Sequence, residues 1–345
     1  MGFQWIHSDP GVYVHFHDND IILLVIYVDD SLFMGSNPRY LFQKKKEFMM
    51  KWECRDLGAA KEYLGMRITR DRKKRILFLD QISYAEKVIK RFHLQNAKPA
   101  RTPLPSGYIP APYKDETTPA LRSRYQSVIG SLLYIMLGTR PDIAYAVIKM
   151  SQFSANPSKE HLQKALYIVR YLATHKTLCI RYNGSSLSGF LSYSDTDWAG
   201  DVETRRSTTG YAIFLADGIV SWLSRRQQKI TLSSTEAEYV GMTEAAKQLH
   251  WIRNLFSEIG FSVPVFTLLC DNQGAIFLAS NPAQEGRTKH IEIPEHYIRE
   301  CVQDGTIQLF YIPTGEQVAD IFTKNVTWQK FEDNRKRLTL VPFQP

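Results

Sequence analysis

Asp29 and Asp30 are adjacent carboxylates that interrupt the apolar run of residues 21–35. The β-branched and aromatic residues on both sides of the pair predict two strands joined by an acidic turn. Hard oxygen donors held on a rigid turn suit a magnesium ion that carries substrate phosphates. A simple acidic hairpin turn is the commoner explanation of such a pair, because aspartate is frequent where the chain reverses. The pair alone leaves both interpretations open.

Further carboxylates stand at the ends of predicted elements in the C-terminal part of the chain. Asp195 and Asp197 end a predicted strand, Asp271 follows a strongly apolar one, and Asp320 lies on the last predicted helix, over 316–324. In open α/β sheets, sites gather at the carboxyl ends of strands. We therefore expect these side chains to converge, although Asp197 is explained equally well as a turn residue.

The long helix predicted over 235–258 offers three glutamates that could complete this set. Glu236 follows Ser233 at capping-box spacing, so it has a structural role at the start of the helix. Glu238 shares its stripe with the apolar residues that must pack on the sheet, and a carboxylate buried there is costly unless it is compensated. Two divalent cations about 3.5–4 Å apart, the arrangement used in phosphodiester hydrolysis, would supply that compensation. The candidate ligands are Asp195, Glu238, Asp271 and Asp320.

Composition restricts the class of protein. The chain has 345 residues, of which 44% are hydrophobic and 23% charged, and a formal net charge of +8. This length supports two or three domains, and the excess of positive charge favours a polyanionic partner. Four widely separated cysteines give neither zinc-site nor disulfide spacing, which favours a reducing compartment. No apolar run approaches the roughly 20 residues of a membrane helix, so we expect no membrane association.

The N-terminal elements place the first aspartate pair on the tip of a hairpin. A basic helix is predicted over 39–51, a second strand pair around 63–79 and a helix over 81–92. Prolines between residues 98 and 119 block regular structure and predict a linker. Apolar helices are predicted beyond it over 125–137, 143–153 and 158–174.

The C-terminal pattern predicts one mixed α/β domain. After residue 183 the periodicity changes to that of three antiparallel strands, with Asp217-Gly218 as a hairpin signal. A long helix follows and ends before Gly260, where glycine commonly closes a helix. Residues 263–270 form a nearly unbroken apolar strand, as the interior of a sheet requires. Short helices and one more strand then alternate.

Several long motifs occur in order along nearly the whole chain. In the first half they are Tyr27-Val28-Asp29-Asp30, Asp56-Leu57-Gly58, Tyr63-Leu64-Gly65 and Gly138-Thr139-Arg140-Pro141-Asp142. In the second half they are Ser194-Asp195-Thr196-Asp197-Trp198-Ala199-Gly200-Asp201, Ser233-Ser234-Thr235-Glu236-Ala237-Glu238-Tyr239, Asp271-Asn272-Gln273, Arg287-Thr288-Lys289-His290 and Ala319-Asp320-Ile321. In order and content they resemble the Pol polyprotein of copia-type LTR retrotransposons. The resemblance implies a reverse transcriptase followed by a ribonuclease H.

The implied architecture is an α+β and α/β multidomain chain. A partial reverse-transcriptase palm and a helical thumb or connection precede a ribonuclease H-like domain with a mixed sheet. The expected segments are the C-terminal half of the palm (1–69), the start of the thumb (70–101), a proline-rich linker (102–120), the helical thumb or connection (121–183), the ribonuclease H-like domain (187–326) and a basic C-terminal tail (327–345).

The resemblance also implies roles for individual residues. Asp29 and Asp30 fall on the metal-binding pair of the polymerase. The implied ribonuclease H catalytic residues and metal ligands, for two Mg²⁺ ions or alternatively Mn²⁺, are Asp195, Glu238, Asp271 and Asp320. The residues expected to contact nucleic acid are Leu64, Gly65, Arg287, Lys289 and His290. Expected partners are an RNA–DNA hybrid, recognised through the 2′-hydroxyl, and a DNA or RNA primer–template. The implied location is a cytoplasmic retroelement particle or the nucleus, and the oligomeric state stays open.

Two departures from the family pattern keep alternatives open. No aspartate before Asp29 suits the third metal ligand that a polymerase of this kind needs. The loop at 313–316 lacks the histidine that aids product release in many ribonucleases H, and His290 or His296 are candidates to replace it. We therefore expect magnesium-dependent hydrolysis of RNA in hybrids, with an incomplete polymerase site. The alternatives are a non-catalytic relic that binds nucleic acid, and a reverse transcriptase that another subunit completes.

Overall fold

The computed structural model of the protein describes residues 1–201, 203–281 and 297–343, which form three β-sheets flanked by helices. The strands are β1 (Gln4–Trp5), β2 (Val12–His17), β3 (Asp20–Tyr27), β4 (Asp30–Gly35), β5 (Glu62–Tyr63), β6 (Met66–Asp71), β7 (Ile76–Asp80), β8 (Leu178–Asn183), β9 (Leu191–Asp197), β10 (Thr208–Leu215), β11 (Gly218–Arg226), β12 (Phe266–Cys270), β13 (Ile307–Tyr311) and β14 (Leu340–Pro342). The helices are α1 (Pro38–Lys51), α2 (Ile82–Arg91), α3 (Pro119–Gly138), α4 (Ala144–Ser151), α5 (Lys159–Thr174), α6 (Ser234–Glu258), α7 (Gln273–Ser280), α8 (Tyr297–Gln303) and α9 (Trp328–Arg337).

The N-terminal sheet is an antiparallel meander in the order β1-β2-β3-β4. It rests on the C-terminal end of α6, where Ile6 and Val14 pack against Ile259. The backbone amide of Ser8 donates to Glu258 at 2.9 Å, and the Trp251 indole donates to the Ser8 carbonyl at 2.9 Å. Helix α1 has no buried residue, so this sheet is supported by a small core.

The middle sheet joins distant parts of the chain in the order β14-β8-β7-β6-β5. Strand β8 pairs with β7 on one side and with β14 on the other. The segment 327–345 was expected to be a basic tail, and this expectation is wrong for residues 328–342, which form helix α9 and strand β14. The reason is that α9 buries Phe331 and Asn334 and β14 completes the edge of a sheet.

The C-terminal sheet has the order β11-β10-β9-β12-β13. Strands β9, β10 and β11 are antiparallel, whereas β12 runs parallel to both β9 and β13. This arrangement confirms the coarse prediction of a mixed α/β chain with several sheets. The assignment of the earlier elements to a palm and a thumb, and the predicted domain boundaries, stay predictions.

The C-terminal sheet is covered on both faces. One core lies between the sheet and helix α6, with Tyr239 and Met242 fully buried in it. The other core joins strands β10 and β11 to helices α3, α4 and α5 of the preceding section. The two sections therefore share one apolar interior. The proline-rich segment between α2 and α3 also packs, since Ala100 and Leu104 are buried.

Local signals explain most helix ends. Ser158 caps α5 and Ser233 caps α6, in each case by accepting a bond from the backbone amide three residues later. The α-helix predicted over 316–324 is wrong: 3₁₀ turns form over Thr314–Glu316 and Val318–Phe322, because Gln317 between them is extended. Among the described residues, no helix combines the length and the apolarity that crossing a membrane requires.

Candidate active site

Four carboxylates from four separate elements meet at the end of the C-terminal sheet where the neighbouring strands β9 and β12 terminate. Asp195 lies near the end of β9 and Asp271 directly follows β12. The two strands are parallel, and Tyr193 pairs with Leu269, so both aspartates stand two residues beyond the same register position. Glu238 comes from the first turns of α6, and Asp320 comes from the 3₁₀ turn over Val318–Phe322.

Two glycines allow these elements to approach one another closely. A Cβ on Gly241 would collide with the Thr196 hydroxyl, so its absence lets α6 lie against β9 one turn after Glu238. A Cβ on Gly210, which is the β10 partner of Asp195, would lie 2.6 Å from the Cβ of Phe322. The turn that carries Asp320 can therefore pack directly on β10.

Asp195 is buried, with 2% of its surface exposed. The hydroxyl of Thr323 donates to its Oδ2 atom, and the ammonium of Lys324 lies 3.7 Å from the same oxygen. Burial raises the pKa of Asp195 to about 7; Lys324 opposes the rise, and the nearby Asp320 carboxylate adds to it. In the absence of a bound cation, Asp195 is thus poised between its protonated and ionised forms at neutral pH.

Glu238 is 5% exposed and faces the same edge. Its Oε1 atom accepts a hydrogen bond from the backbone amide of Thr196 at 3.1 Å. Burial raises the pKa of Glu238 well above its usual value, and the charges of Asp195 and Asp271 raise it further. Among the described residues, no lysine or arginine forms an ion pair with Glu238. Glu236 is half-buried; its carboxylate accepts from the Leu232 amide, and its own backbone amide donates to the Ser233 hydroxyl at 3.1 Å, at the start of the helix.

Asp271 and Cys270 complete this side of the cluster. Ligand atoms of Glu238, Cys270 and Asp271 all lie within 4.8 Å of one another. The hydroxyl of Thr314 donates to Asp271 Oδ2 at 2.6 Å, which orients the carboxylate. Cys270 Sγ lies 3.9 Å from Glu238 Oε2, and burial raises the pKa of this thiol well above its usual value. The thiol is therefore neutral at ordinary pH.

Asp320 is fully buried and is paired with two lysines. Lys324, four residues later, contacts its Oδ1 atom, and Lys330 of α9 contacts its Oδ2 atom. Burial lowers the pKa of Lys324, but Asp195 and Asp320 outweigh this effect and the net shift is upward. Lys324 thus carries its charge between the two aspartates.

The donor set fits divalent cations. Carboxylate oxygens are the ligands that Mg²⁺ and Mn²⁺ prefer, and the buried Glu238 has no cationic partner among the described residues. The pKa values of Asp195 and Glu238 are raised mainly by burial, and the neighbouring acidic side chains raise them further. The residues that would hold the ions are Asp195, Glu238, Asp271 and Asp320.

Asp29 and Asp30 lie elsewhere, on the turn between β3 and β4. Both are exposed, and Val28 in this turn has a φ of 53°. Within the described ranges, the only group of three histidine, cysteine or acidic residues close enough to share a metal ion is the one at Glu238, Cys270 and Asp271. The pair therefore has no third ligand in the described part of the chain.

Of the five residues expected to contact nucleic acid, two lie in the described part of the chain and three lie outside it. Leu64 and Gly65 form the turn between β5 and β6, both with positive φ, and the Tyr134 hydroxyl donates to the Leu64 carbonyl at 3.1 Å. They lie in the middle sheet and not at the carboxylate cluster. Arg287, Lys289 and His290 lie outside the described residues, as does His296.

Sequence reasoning missed the residues that orient or neutralise the cluster. Lys324 could have been found, because a lysine four residues after an acid on a helical turn is a recognised pairing. Lys330 had no local signal, since its contact depends on how α9 packs. Asp201, the last residue of the 194–201 motif, is buried and pairs with Lys149 of α4 at 2.9 Å, a contact between elements that no local pattern indicates.

Comparison with known proteins places these features in one lineage. Residues 1–106 match the family model described as reverse transcriptase (RNA-dependent DNA polymerase). The chain is 40% identical over 335 residues to the Retrovirus-related Pol polyprotein from transposon TNT 1-94 of Nicotiana tabacum, covering 94% of this chain and 25% of that protein. It is 30% identical over 252 residues to a protein of transposon Ty5-1 from Saccharomyces cerevisiae, covering 72% of this chain and 80% of that protein.

One solved structure that was compared with the chain is the N-terminal ribonuclease H domain of a Mycobacterium tuberculosis protein, which is 14% identical. The match covers 43% of this chain and 96% of that chain. Its TM-score of 0.27 is too low to establish a shared fold. The chain spans about a quarter of the length of the Pol polyproteins that it matches. The sequence matches extend over most of the chain and begin with a reverse transcriptase segment. The chain therefore belongs to the Pol polyprotein family of copia-type LTR retrotransposons.

Proposed function

We propose that the chain hydrolyses the RNA strand of RNA–DNA hybrids in a reaction that depends on Mg²⁺ or Mn²⁺. The observation that carries this proposal is the convergence of Asp195, Glu238, Asp271 and Asp320 from four elements at one sheet edge. Two of them, Asp195 and Glu238, have raised pKa values because they are buried beside other acids. The four residues also match the positions that the family resemblance implies for a ribonuclease H.

The protein's own groups hold the carboxylates ready for this task. The Thr314 hydroxyl orients Asp271, the Thr323 hydroxyl orients Asp195, and the Thr196 amide orients Glu238. Bound divalent cations would lower the pKa of a water molecule and stabilise the leaving oxygen of the phosphodiester. Without cations, the raised pKa values of Asp195 and Glu238 favour proton binding, and a cation must displace any proton that is bound, so cation affinity rises with pH.

The test is cleavage of a labelled RNA–DNA hybrid by the full chain in Mg²⁺. We expect endonucleolytic products with a 3′-hydroxyl and a 5′-phosphate, and no cleavage of the DNA strand. Asp271→Asn removes one ligand charge at a half-buried position and should abolish most of the activity. Cleavage that persists undiminished in this variant, or that is absent from the wild-type protein, contradicts the proposal.

A second proposal concerns the N-terminal section, whose sequence matches the reverse transcriptase model. Asp29 and Asp30 are exposed on a turn and have no third acidic ligand among the described residues. We propose that residues 1–345 alone do not extend a primer, and that polymerisation needs a further acidic ligand that these residues do not supply. Extension of a primer–template by the purified chain would contradict this. Retention on hybrid with a steep salt dependence, but without cleavage, would instead favour a role in binding alone.

A further inference from the structure

The Asp320 carboxylate is enclosed by two ammonium groups of different origin. Lys324 belongs to the same turn and also approaches Asp195, so it lies among the ligands. Lys330 reaches Asp320 from helix α9, which follows the last strand of the C-terminal sheet, β13, in the chain. The side chain of Asp320 is 0% exposed, whereas that of Lys330 is 30% exposed. Lys330 therefore neutralises a buried ligand from the outer side of the cluster.

Helix α9 is fixed in place by contacts that do not involve Lys330. The Asn334 amide donates to the Gln317 carbonyl at 3.3 Å, and the Arg337 guanidinium donates to the Glu316 carbonyl at 2.8 Å. Phe331 packs in the larger core. The helix thus stays on the 314–320 segment whether or not Lys330 contacts Asp320, so the lysine side chain can move alone.

Lys330 also has a place to move to. It lines an open pocket on the surface of α9, together with Gly315, Thr327 and Gln329. Its ammonium donates to the Thr314 carbonyl at 3.2 Å, at the border between this pocket and the cluster. A change of side-chain rotamer would carry the charge from Asp320 into solvent contact, and lysine side chains make such moves readily.

An ammonium and a divalent cation cannot both occupy the same oxygen lone pairs of Asp320. We propose that Lys330 is a built-in cation, which neutralises Asp320 while the site holds no divalent ion and is displaced into the adjacent pocket when one binds. Lys330 competes with the cation for Asp320, and it prevents an uncompensated buried charge in the cation-free protein. This inference rests on the divalent-cation site of the proposed function, although not on cleavage.

The direct test is the affinity of the full chain for Mn²⁺, measured by calorimetry without nucleic acid. Lys330→Met keeps an unbranched side chain that is one atom shorter and removes the competing charge, so the dissociation constant should fall about tenfold. The cation-free variant should unfold at a lower temperature than wild type, and Mn²⁺ should raise its unfolding temperature by more than it raises that of wild type. Lys330→Gln should behave in the same way, and Lys330→Arg should resemble wild type.

A matched control is Lys176→Met. This substitution also breaks a lysine–carboxylate pair, but the pair of Lys176 and Glu86, 3.2 Å apart, lies on the surface. Its Mn²⁺ affinity should equal that of wild type. Weaker binding in both neutral Lys330 variants would show that the lysine only holds Asp320 in position, and unchanged binding would show that it does not compete. Either result overturns the inference, as does an absence of Mn²⁺ binding by wild type.

A measurement on the unmutated protein covers the case in which the neutral variants fail to fold. The rate at which an acylating reagent modifies Lys330, read by mass spectrometry, should rise several-fold on addition of Mn²⁺, while the rate at Lys176 stays constant. An unchanged or slower rate at Lys330 overturns the inference. If Mn²⁺ binds and these responses occur but hybrid is not cleaved, the proposed function fails while the inference on Lys330 stands.

Discussion

The chain carries two acidic sites that differ in their surroundings more than in their residues. Asp29 and Asp30 are exposed on a turn of a sheet whose core cluster consists of Ile6, Val14 and Ile259. Asp195 and Glu238 lie at the edge of a sheet that is covered on both faces, and they are 2% and 5% exposed. Acidic residues at strand ends are common to both sites, but close packing around them is found only at the second.

What distinguishes the second site is that its carboxylates are buried by close packing. Removing carboxylates from water next to one another raises their proton affinity, which is the source of the raised pKa values of Asp195 and Glu238. The motif that best identifies the family, Tyr27-Val28-Asp29-Asp30, therefore lies at the exposed turn. The perturbed pKa values expected of catalytic groups lie at the cluster of Asp195 and Glu238.

The largest expected difference between the two sites is in hydrolysis. Asp195→Asn should lower the rate of hybrid cleavage at least about 1,000-fold, because it removes a ligand charge from the cluster. Asp30→Asn, the matched change at the exposed turn, should leave the rate within about twofold of wild type. Rates are measured on the same labelled hybrid in saturating Mg²⁺. Equal losses in the two variants would remove the distinction between the sites.

The next difference is in the pH dependence of stability without cations. The pKa of Asp195 is about 7 in the folded protein and about 4 in an unfolded chain. Between about pH 4 and about pH 7, Asp195 therefore binds a proton in the folded state that it has lost in the unfolded state. The Asp195 contribution to the free energy of unfolding therefore decreases as pH rises from about 4 to about 7, and it is constant above that.

Denaturant titrations in the presence of a chelator should show that Asp195→Asn becomes more stable relative to wild type as pH rises. Its free energy of unfolding should increase relative to wild type by roughly 3 kcal/mol between pH 4 and pH 7. The Asp30→Asn variant, titrated in the same way, supplies the comparison with the exposed turn. A constant difference between Asp195→Asn and wild type would show that the buried site does not hold its proton.

The smallest expected difference is in local opening of the two sheets. Amide hydrogens of β3 should exchange at least about tenfold faster than those of β9, because β3 belongs to a sheet with a small core and large exposed apolar side chains such as Trp5 and Phe16. Hydrogen exchange read by mass spectrometry on peptides from both strands checks this. Similar protection in both would mean that the N-terminal sheet is as stable as the C-terminal one.

Local sequence patterns were sufficient for much of the fold. The apolar stripe on α6 selected Glu238 over Glu236; in the structure Glu238 is buried, whereas Glu236 is only partly buried. Serine caps marked the starts of α5 and α6 within about one residue. These features depend on residues three or four positions apart, which a single sequence displays directly.

Features that depend on distant partners were not predictable. Strand β8 was missed because its two neighbours, β7 and β14, lie about 100 residues before it and 160 after it. Lys330 was missed for the same reason, since its contact with Asp320 exists only when α9 docks. The 3₁₀ form of the Asp320 turn depends on packing against β10, which overrides the helical periodicity of its sequence.

The pairing of β14 with β8 also sets the order of events during synthesis. Val341 pairs with Cys179, so one edge of the middle sheet has no neighbour until the ribosome has added about 160 further residues. At about 5–20 residues per second, this takes roughly 8–30 s. During that time an unpaired strand edge is open to chaperones and to other nascent chains. Helix α9 and the contact of Lys330 with Asp320 also form late, so the carboxylate cluster reaches its final state only after α9 has been synthesised.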